Sequence, residues 1–220
     1  MIDLIHPFWK PADWTSFDVV KKVRAAVSVR KVGHAGSLDP FAEGVLILCF
    51  GAATKQVSQL MDLDKEYITT LKLGAATDTL DPTGEVVASE PVPTLTHEGI
   101  LESINPFVGT IQQVPPMYSA LKVNGKRLYR LAREGKMIIR EPRKVLIHSI
   151  ALIQWRPPDE VDLKVVCGKG TYIRSLGADI ARALGTVGYL TCLTRSRVGP
   201  YREADAIRME QLASWNPIVA

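Results

Sequence analysis

Cysteine is scarce and unpaired in this 220-residue chain: Cys49, Cys167 and Cys192 are odd in number and form no C-x-x-C pair. That pattern supports neither a disulfide framework nor a zinc site, and it fits a reducing, cytoplasmic compartment. No apolar run approaches the roughly eighteen residues that a membrane span needs, so no membrane partner is expected. The opening Met1-Ile2-Asp3-Leu4-Ile5-His6-Pro7 lacks the charged and apolar regions of a signal peptide. The Gly-x-x-x-x-Gly-Lys-Ser/Thr spacing is missing too, so Gly168-Lys169-Gly170-Thr171 is not a nucleoside-triphosphate loop. Repeats and low-complexity tracts do not occur. Acidic residues are nearly missing from one stretch. Positions 120–145 hold Lys122, Lys126, Arg127, Arg130, Arg133, Lys136, Arg140, Arg143 and Lys144 against only Glu134 and Glu141.

A second basic cluster gathers Lys21, Lys22, Arg24, Arg30 and Lys31, while 78–102 is acidic, within a net charge of +4. Charge polarised in this way suits a polyanion bound on one side. With 46% hydrophobic residues, the chain can bury a core as one domain carrying a small insertion. Residues 15–28 read as an amphipathic helix capped by Thr15 or Ser16, with Phe17, Val20, Val23 and Val27 inward. The run 44–50 reads as a strand buried on both faces. A helix is expected over 53–61, with Val57, Leu60 and Met61 inward. Alternation predicts a half-buried strand over 67–73. A turn at Asp81-Pro82-Thr83-Gly84 leads to a strand at 85–88, and a short helix ends near Asn105. Ser119 to Val123 reads as a strand, Asn124-Gly125 as a hairpin turn and 126–134 as a basic helix ended by Gly135. Strands over 144–155 and 161–167, a helix over 171–184 and a strand over 189–198 complete the pattern. These elements do not alternate strictly. The fold class expected is α+β, with a mixed, largely antiparallel sheet and flanking helices.

The chemistry gathers around Gly33-His34-Ala35-Gly36-Ser37-Leu38-Asp39-Pro40, where glycines permit close backbone approach and Pro40 keeps Asp39 out of helical dihedrals. Lys65-Glu66-Tyr67 places a phenol at the start of a strand. Cys167-Gly168-Lys169-Gly170-Thr171-Tyr172-Ile173-Arg174 reads as a strand-to-helix junction whose amides suit a phosphate. Gln113-Val114-Pro115-Pro116-Met117-Tyr118-Ser119-Ala120-Leu121-Lys122 is a rigid approach to the basic insertion, about 117–146. Singly, each has a plainer reading. Asp-Pro beside glycine is ordinary turn chemistry, a strand tyrosine is commonly a core aromatic, and a lone histidine is commonly a turn donor. Asp78 and Asp81 read as turn residues that support the site.

In order and spacing these motifs, with Ala42-Glu43-Gly44-Val45-Leu46, Leu73-Gly74 and Thr77-Asp78-Thr79-Leu80-Asp81, resemble the TruB family of pseudouridine synthases from about Lys10 to Gly199. The resemblance implies the pseudouridine synthase fold and isomerisation of uridine to pseudouridine in the T-arm loop of tRNA, at uridine 55. It implies Asp39 as nucleophile, Tyr67 stacked on the base and taking the C5 proton, and Arg174 as counter-charge to Asp39. His34 and Tyr172 would hold the extruded nucleotide. Lys169, Lys122, Arg127 and Lys21 would bind the RNA, with no metal, cofactor or protein partner required. Two departures stand out. Ala35 occupies a position usually held by Thr, and the chain is expected to lack the C-terminal RNA-binding domain that many members carry. Two rival readings are a guide-dependent synthase acting on ribosomal RNA and a non-catalytic tRNA-binding or folding module. A retaining glycosidase would need a second carboxylate about 5 Å from the first, and no obvious candidate is present.

Overall fold

The structure is a computed structural model that describes residues 3–27, 29–119, 121–123 and 125–215, with the backbone alone described for Lys122, Val123 and Arg127. In chain order the elements are β1 (Ile5–Lys10), α1 (Ser16–Val27), β2 (Val32–Ala35), β3 (Glu43–Phe50), α2 (Val57–Met61) and β4 (Lys65–Leu73). There follow β5 (Ala75–Thr77), β6 (Val86–Ser89), α3 (His97–Ile104), β7 (Gly109–Gln113), β8 (Lys122–Val123), β9 (Lys126–Arg127) and α4 (Leu128–Arg133). The last are β10 (Arg143–Arg156), β11 (Glu160–Cys167), α5 (Ile173–Ala183), β12 (Gly188–Val198) and β13 (Tyr201–Arg202). Two compact units result, one formed by residues up to 68 with those from 193 onward, the other by 69–192. Strands β4 and β12 run through the boundary and contribute to both.

In the first unit the strand order is β1-β3-β12-β4, with β2 also on β3 and β13 on β12. The β1–β3 and β2–β3 pairs are antiparallel and β12–β3 is parallel, which makes the sheet mixed as expected. β3 explains how this unit buries its core. Successive strand side chains point to opposite faces, so its continuous apolar run feeds two clusters. Leu46, Leu48 and Phe50 join Phe8 and the α1 residues Val19, Val20 and Val23. Val45, Ile47 and Cys49 join Trp9, Ala35, Ala53 and Leu60. Ala35, where the family resemblance leads one to expect Thr, therefore places its methyl in an apolar cluster.

Thr15, not Ser16, caps α1. Its Oγ1 accepts the Asp18 amide at 3.1 Å while the Asp18 carboxylate accepts the Thr15 amide at 3.0 Å, a reciprocal capping box. Two inward assignments fail. Phe17 is 53% exposed and Met61 46% exposed. The buried α1 stripe is Ser16, Val19, Val20 and Val23, and 51–56 wind as a 3₁₀ helix before α2, which turns Met61 outward.

The second unit orders its strands β12-β4-β11-β10-β7. The β10–β11 hairpin and the β10–β7 pair are antiparallel. Strand β4 alternates as predicted, burying Tyr67, Thr69, Leu71 and Leu73. Helix α5 approaches closely because Gly177 faces Leu190 and Leu71; a Cβ there would lie 2.6 Å from a Leu190 methyl carbon. The insertion is less regular than expected. Among the described residues of its first arm only β8 is extended, Ala120 lying outside them, Lys126–Arg127 is strand rather than helix, and α4 is confined to Leu128–Arg133. Asn124 of the expected hairpin turn lies outside the described residues. Gly135 follows α4 at φ +70°, in keeping with its expected helix-ending role.

Gly44 is the residue on which the first unit turns most sharply. It sits at φ +124°, and a Cβ there would lie 2.3 Å from the Arg195 carbonyl oxygen. Gly44→Ala is therefore expected to destabilise the protein by about 2–4 kcal/mol, from left-handed strain plus overpacking against backbone. Urea denaturation of the two proteins measures it, and an unchanged midpoint would contradict this account.

Candidate active site

The loop over 36–42 joins β2 to β3 and carries Asp39, which is half-buried. A loop held against the protein must find donors for its carbonyls. Here every carbonyl from Gly36 to Pro40 has one. Arg195 Nη2 donates to Gly36 at 3.1 Å and Nη1 to Ser37 at 3.4 Å. The Ser16 hydroxyl donates to the Leu38 carbonyl at 3.3 Å and accepts the Leu38 amide at 2.9 Å. The Ala42 amide donates to Asp39 at 3.2 Å, and the Asp13 amide to Pro40 at 2.8 Å. Lys10 Nζ also reaches the Pro40 carbonyl at 3.1 Å, and those of Pro11 and Trp14 at 2.8 and 2.6 Å. All three ammonium donors are thereby used.

Lys10 is fully buried at the end of β1, and Arg195 is 1% exposed on β12. Burial pushes the Lys10 ammonium down to about 8, opposed chiefly by the negative charge of Asp39 and then of Asp13. On β2, His34 lies opposite Leu48, and its Nδ1 is buried with no hydrogen-bond partner among the described residues. Burial, and then the Arg195 charge, hold its imidazole below the ordinary histidine value, so it is neutral at pH 7. Tyr67 is buried near the start of β4, two residues after Lys65, whose ammonium donates to the Met61 and Leu63 carbonyls. Lys21 lies on α1 with its ammonium 3.7 Å from Asp18 and 5.0 Å above the Phe17 ring.

In the second unit Arg174 opens α5 and is 3% exposed. Its Nη1 donates to the Thr79 carbonyl at 2.6 Å and lies 3.1 Å from Asp81 Oδ2, and Nη2 donates to the Tyr118 carbonyl at 2.8 Å. Asp81, also buried, accepts from the Thr79 hydroxyl at 2.7 Å and from the Thr83 amide and hydroxyl. The turn that presents it depends on Gly84, where a Cβ would lie 2.1 Å from an Asp78 oxygen. Between Thr79 and Asp81, Leu80 is held at φ +60°, a costly conformation for a side-chain-bearing residue. Gln113 clamps the backbone of Tyr172, accepting its amide at 2.8 Å and donating to its carbonyl at 3.1 Å. A cavity of about 770 Å³ in this unit is lined by Asp78, Tyr118, Pro115, Met117, Arg140 and Arg182, among others.

Each expected site residue thus has a place. Asp39, His34, Tyr67 and Lys21 belong to the first unit, and Arg174, Tyr172, Lys169, Lys122 and Arg127 to the second. The side chains of Lys122 and Arg127 lie outside the described residues. Lys169 is exposed in its loop. Two of the amides expected to be open to a phosphate are committed within the protein, Gly168 to Leu146 and Tyr172 to Gln113. Asp81 is more than the turn residue it was read as, since it is the buried carboxylate beside Arg174. Sequence reasoning also passed over Lys10, Ser16 and Arg195. A signal existed for Arg195, which falls two residues after Leu193 on the buried face of an alternating strand.

The chain matches the TruB family pseudouridylate synthase (N-terminal domain) over residues 24–173. It belongs to that family. It is 50% identical over 93% of its length to a protein named tRNA pseudouridine synthase B from Clostridium perfringens (strain SM101 / Type A), covering 69% of that relative. It is 44% identical to the protein of the same name from Phocaeicola vulgatus, covering 94% of this chain and 91% of that one. A solved Cbf5-Nop10-Gar1 complex contains a similar chain at 28% identity and TM-score 0.75, over 96% of this chain and 54% of that one. The present chain thus spans about half of that solved chain.

Two outcomes follow. Asp81→Asn removes the carboxylate charge 3.1 Å from the buried Arg174, and is expected to cost about 1–3 kcal/mol in urea denaturation. Lys10 concerns pH. Its folded-state value lies below the free-lysine 10.5, so burial of the charge costs stability below about pH 8 and the cost is relieved as pH rises toward 10.5. The stability of the wild type relative to Lys10→Met should therefore increase between about pH 7.5 and 10, by up to about 3 kcal/mol. A pH-independent difference would contradict the assignment.

Proposed function

We propose that this protein isomerises uridine to pseudouridine in tRNA, at uridine 55 of the T-arm loop. The observation that carries the reading is the 50% identity, over 93% of the chain, to a relative named tRNA pseudouridine synthase B. In the reaction the N1–C1′ bond breaks, the uracil turns and C5 bonds to C1′. The proton leaves C5 and N1 gains one, so the product is an isomer and no water is consumed.

Asp39 is the nucleophile in this reading. A carboxylate that must attack has to be ionised, and the negative charge of Asp39 interacts favourably with the buried Lys10 ammonium. Tyr67 stacks on the base and takes the C5 proton. Arg174 supplies fixed positive charge, held in place by Asp81 and two carbonyls. The unpartnered Nδ1 of His34 supports its role toward the extruded nucleotide, because a buried polar atom without a protein partner is satisfied when a ligand supplies one. Tyr172 lines the base pocket. Lys169, Lys122, Arg127 and Lys21 contact phosphates, and that binding offsets the few kcal/mol needed to unstack the uridine.

Purified protein is expected to convert uridine 55 of unmodified tRNA, as read by mass spectrometry, and Asp39→Asn to convert none while still binding tRNA. Raising salt from about 50 to about 200 mM should weaken tRNA binding by about tenfold or more. No conversion of free tRNA, with activity appearing only when a guide RNA is added, would replace this reading with the ribosomal-RNA one. Full activity of Asp39→Asn would remove Asp39 from the chemistry.

A further inference from the structure

Arg195 carries a buried charge that the chemistry above does not use. Guanidinium groups withdrawn from water are ordinarily matched by a carboxylate. Those of Arg195 are spent on main-chain carbonyls instead. Nε donates to Val45 at 2.8 Å, Nη2 to Gly36 at 3.1 Å and Nη1 to Ser37 at 3.4 Å. Gly36 and Ser37 immediately precede the segment bearing Asp39, and Val45 is a fully buried residue of β3 just after it. One planar, rigid fork therefore spans both ends of the loop. A lysine here would keep the charge but present its donors from one nitrogen, without the planar fork.

The approach is built into the backbone. Arg195 pairs with Gly44 in parallel register, and only the missing Cβ of Gly44 admits the β12 main chain so near. Gly36, at φ +91°, stands where a Cβ would sit 3.8 Å from Nη1. Left without the fork, Gly36 is the loop residue with the widest choice of dihedrals. Lys10 and Ser16 hold Pro40 and Leu38, so they do not replace what Arg195 does upstream.

We propose that Arg195 is a positioning residue for Asp39, fixing the loop from both ends so that the carboxylate meets the substrate uridine in one orientation. This rests on the reading of Asp39 as the nucleophile. Loss of the fork loosens the attacking group and leaves the phosphate-binding side chains in place, so the rate falls while affinity for tRNA does not.

The test uses the full chain, unmodified tRNA in single turnover, tRNA binding, circular dichroism and hydrogen–deuterium exchange, with Asp39→Asn run alongside. Arg195→Gln is expected to lower the single-turnover rate by about 100-fold and to leave the tRNA Kd within about twofold. Arg195→Lys, which keeps the charge but not the fork, should lose about tenfold. In both, exchange should quicken in the peptide covering 36–44 and not in α5. A folded Arg195→Gln within about threefold of the wild-type rate overturns the proposal, as does faster exchange spread evenly over the protein, which marks a merely structural residue. If Arg195→Gln does not fold, Arg195→Lys decides: a wild-type rate with wild-type exchange overturns the proposal, and a slowed rate with exchange confined to 36–44 supports it. Retained activity in Asp39→Asn sinks the nucleophile reading by itself, separately from any result on Arg195.

Discussion

A short loop that must hold one carboxylate still has a problem of carbonyls. Each main-chain oxygen withdrawn from water without a donor costs roughly 1–3 kcal/mol. In a loop where Leu38 is buried and Gly36 and Asp39 are half-buried, such losses would take a share of the roughly 5–15 kcal/mol by which a domain is stable at all. Residues 36–40 meet that constraint by drawing donors from distant parts of the sequence: an ammonium from β1, a hydroxyl from α1 and a guanidinium from β12. The placement of those elements around β3 follows. β1 and β12 both pair with β3, and α1 packs on its even-numbered face.

The two units treat their buried cations differently. Arg174 lies against a carboxylate, and Asp81 in turn is saturated by Thr79 and Thr83. Charge-assisted contacts of this kind fix geometry as well as charge. Lys10 and Arg195 are given only neutral dipoles among the partners described, so their net charge is not cancelled at contact distance. In a medium of low polarizability such charge reaches further than it would in water. The negative charge of Asp39 accordingly acts on Lys10, where it opposes the effect of burial.

Much of the architecture was legible in residue patterns. The strands at β3, β4, β10, β11 and β12 and the helices α1 and α5 fall within a residue or two of where alternation and helical spacing put them. What periodicity could not show were strands too short or too polar to alternate, such as β2 and β13, and the edge strand β7, whose Gly109–Gln113 run has no apolar rhythm. The misassigned Phe17 has a physical cause: its ring lies beneath the Lys21 ammonium rather than in the core. Asp39, Tyr67, Arg174 and His34 were found through motifs, that is, through local order along the chain. Arg195, Lys10 and Ser16 were not, because their importance lies in hydrogen bonds to backbone far away in sequence, and carbonyl oxygens leave no mark in the residue letters. Asp81 was half visible, as a turn residue whose carboxylate proved to face inward.

The distance between Arg195 and the loop has a consequence for how the protein is made. Arg195 meets Val45 across 150 residues of chain. The segment bearing Asp39 leaves the ribosome early, with α1 and β1 already present to supply Ser16 and Lys10. Its upstream half must wait for Arg195, which is translated after the whole of the second unit. Synthesis at about 5–20 residues per second puts that interval at about ten seconds or more. A nascent or truncated chain ending before residue 195 therefore has the Asp39 motif complete and its geometry unfinished. The hydrogen bonds of this loop are completed only when a strand made 150 residues later reaches it.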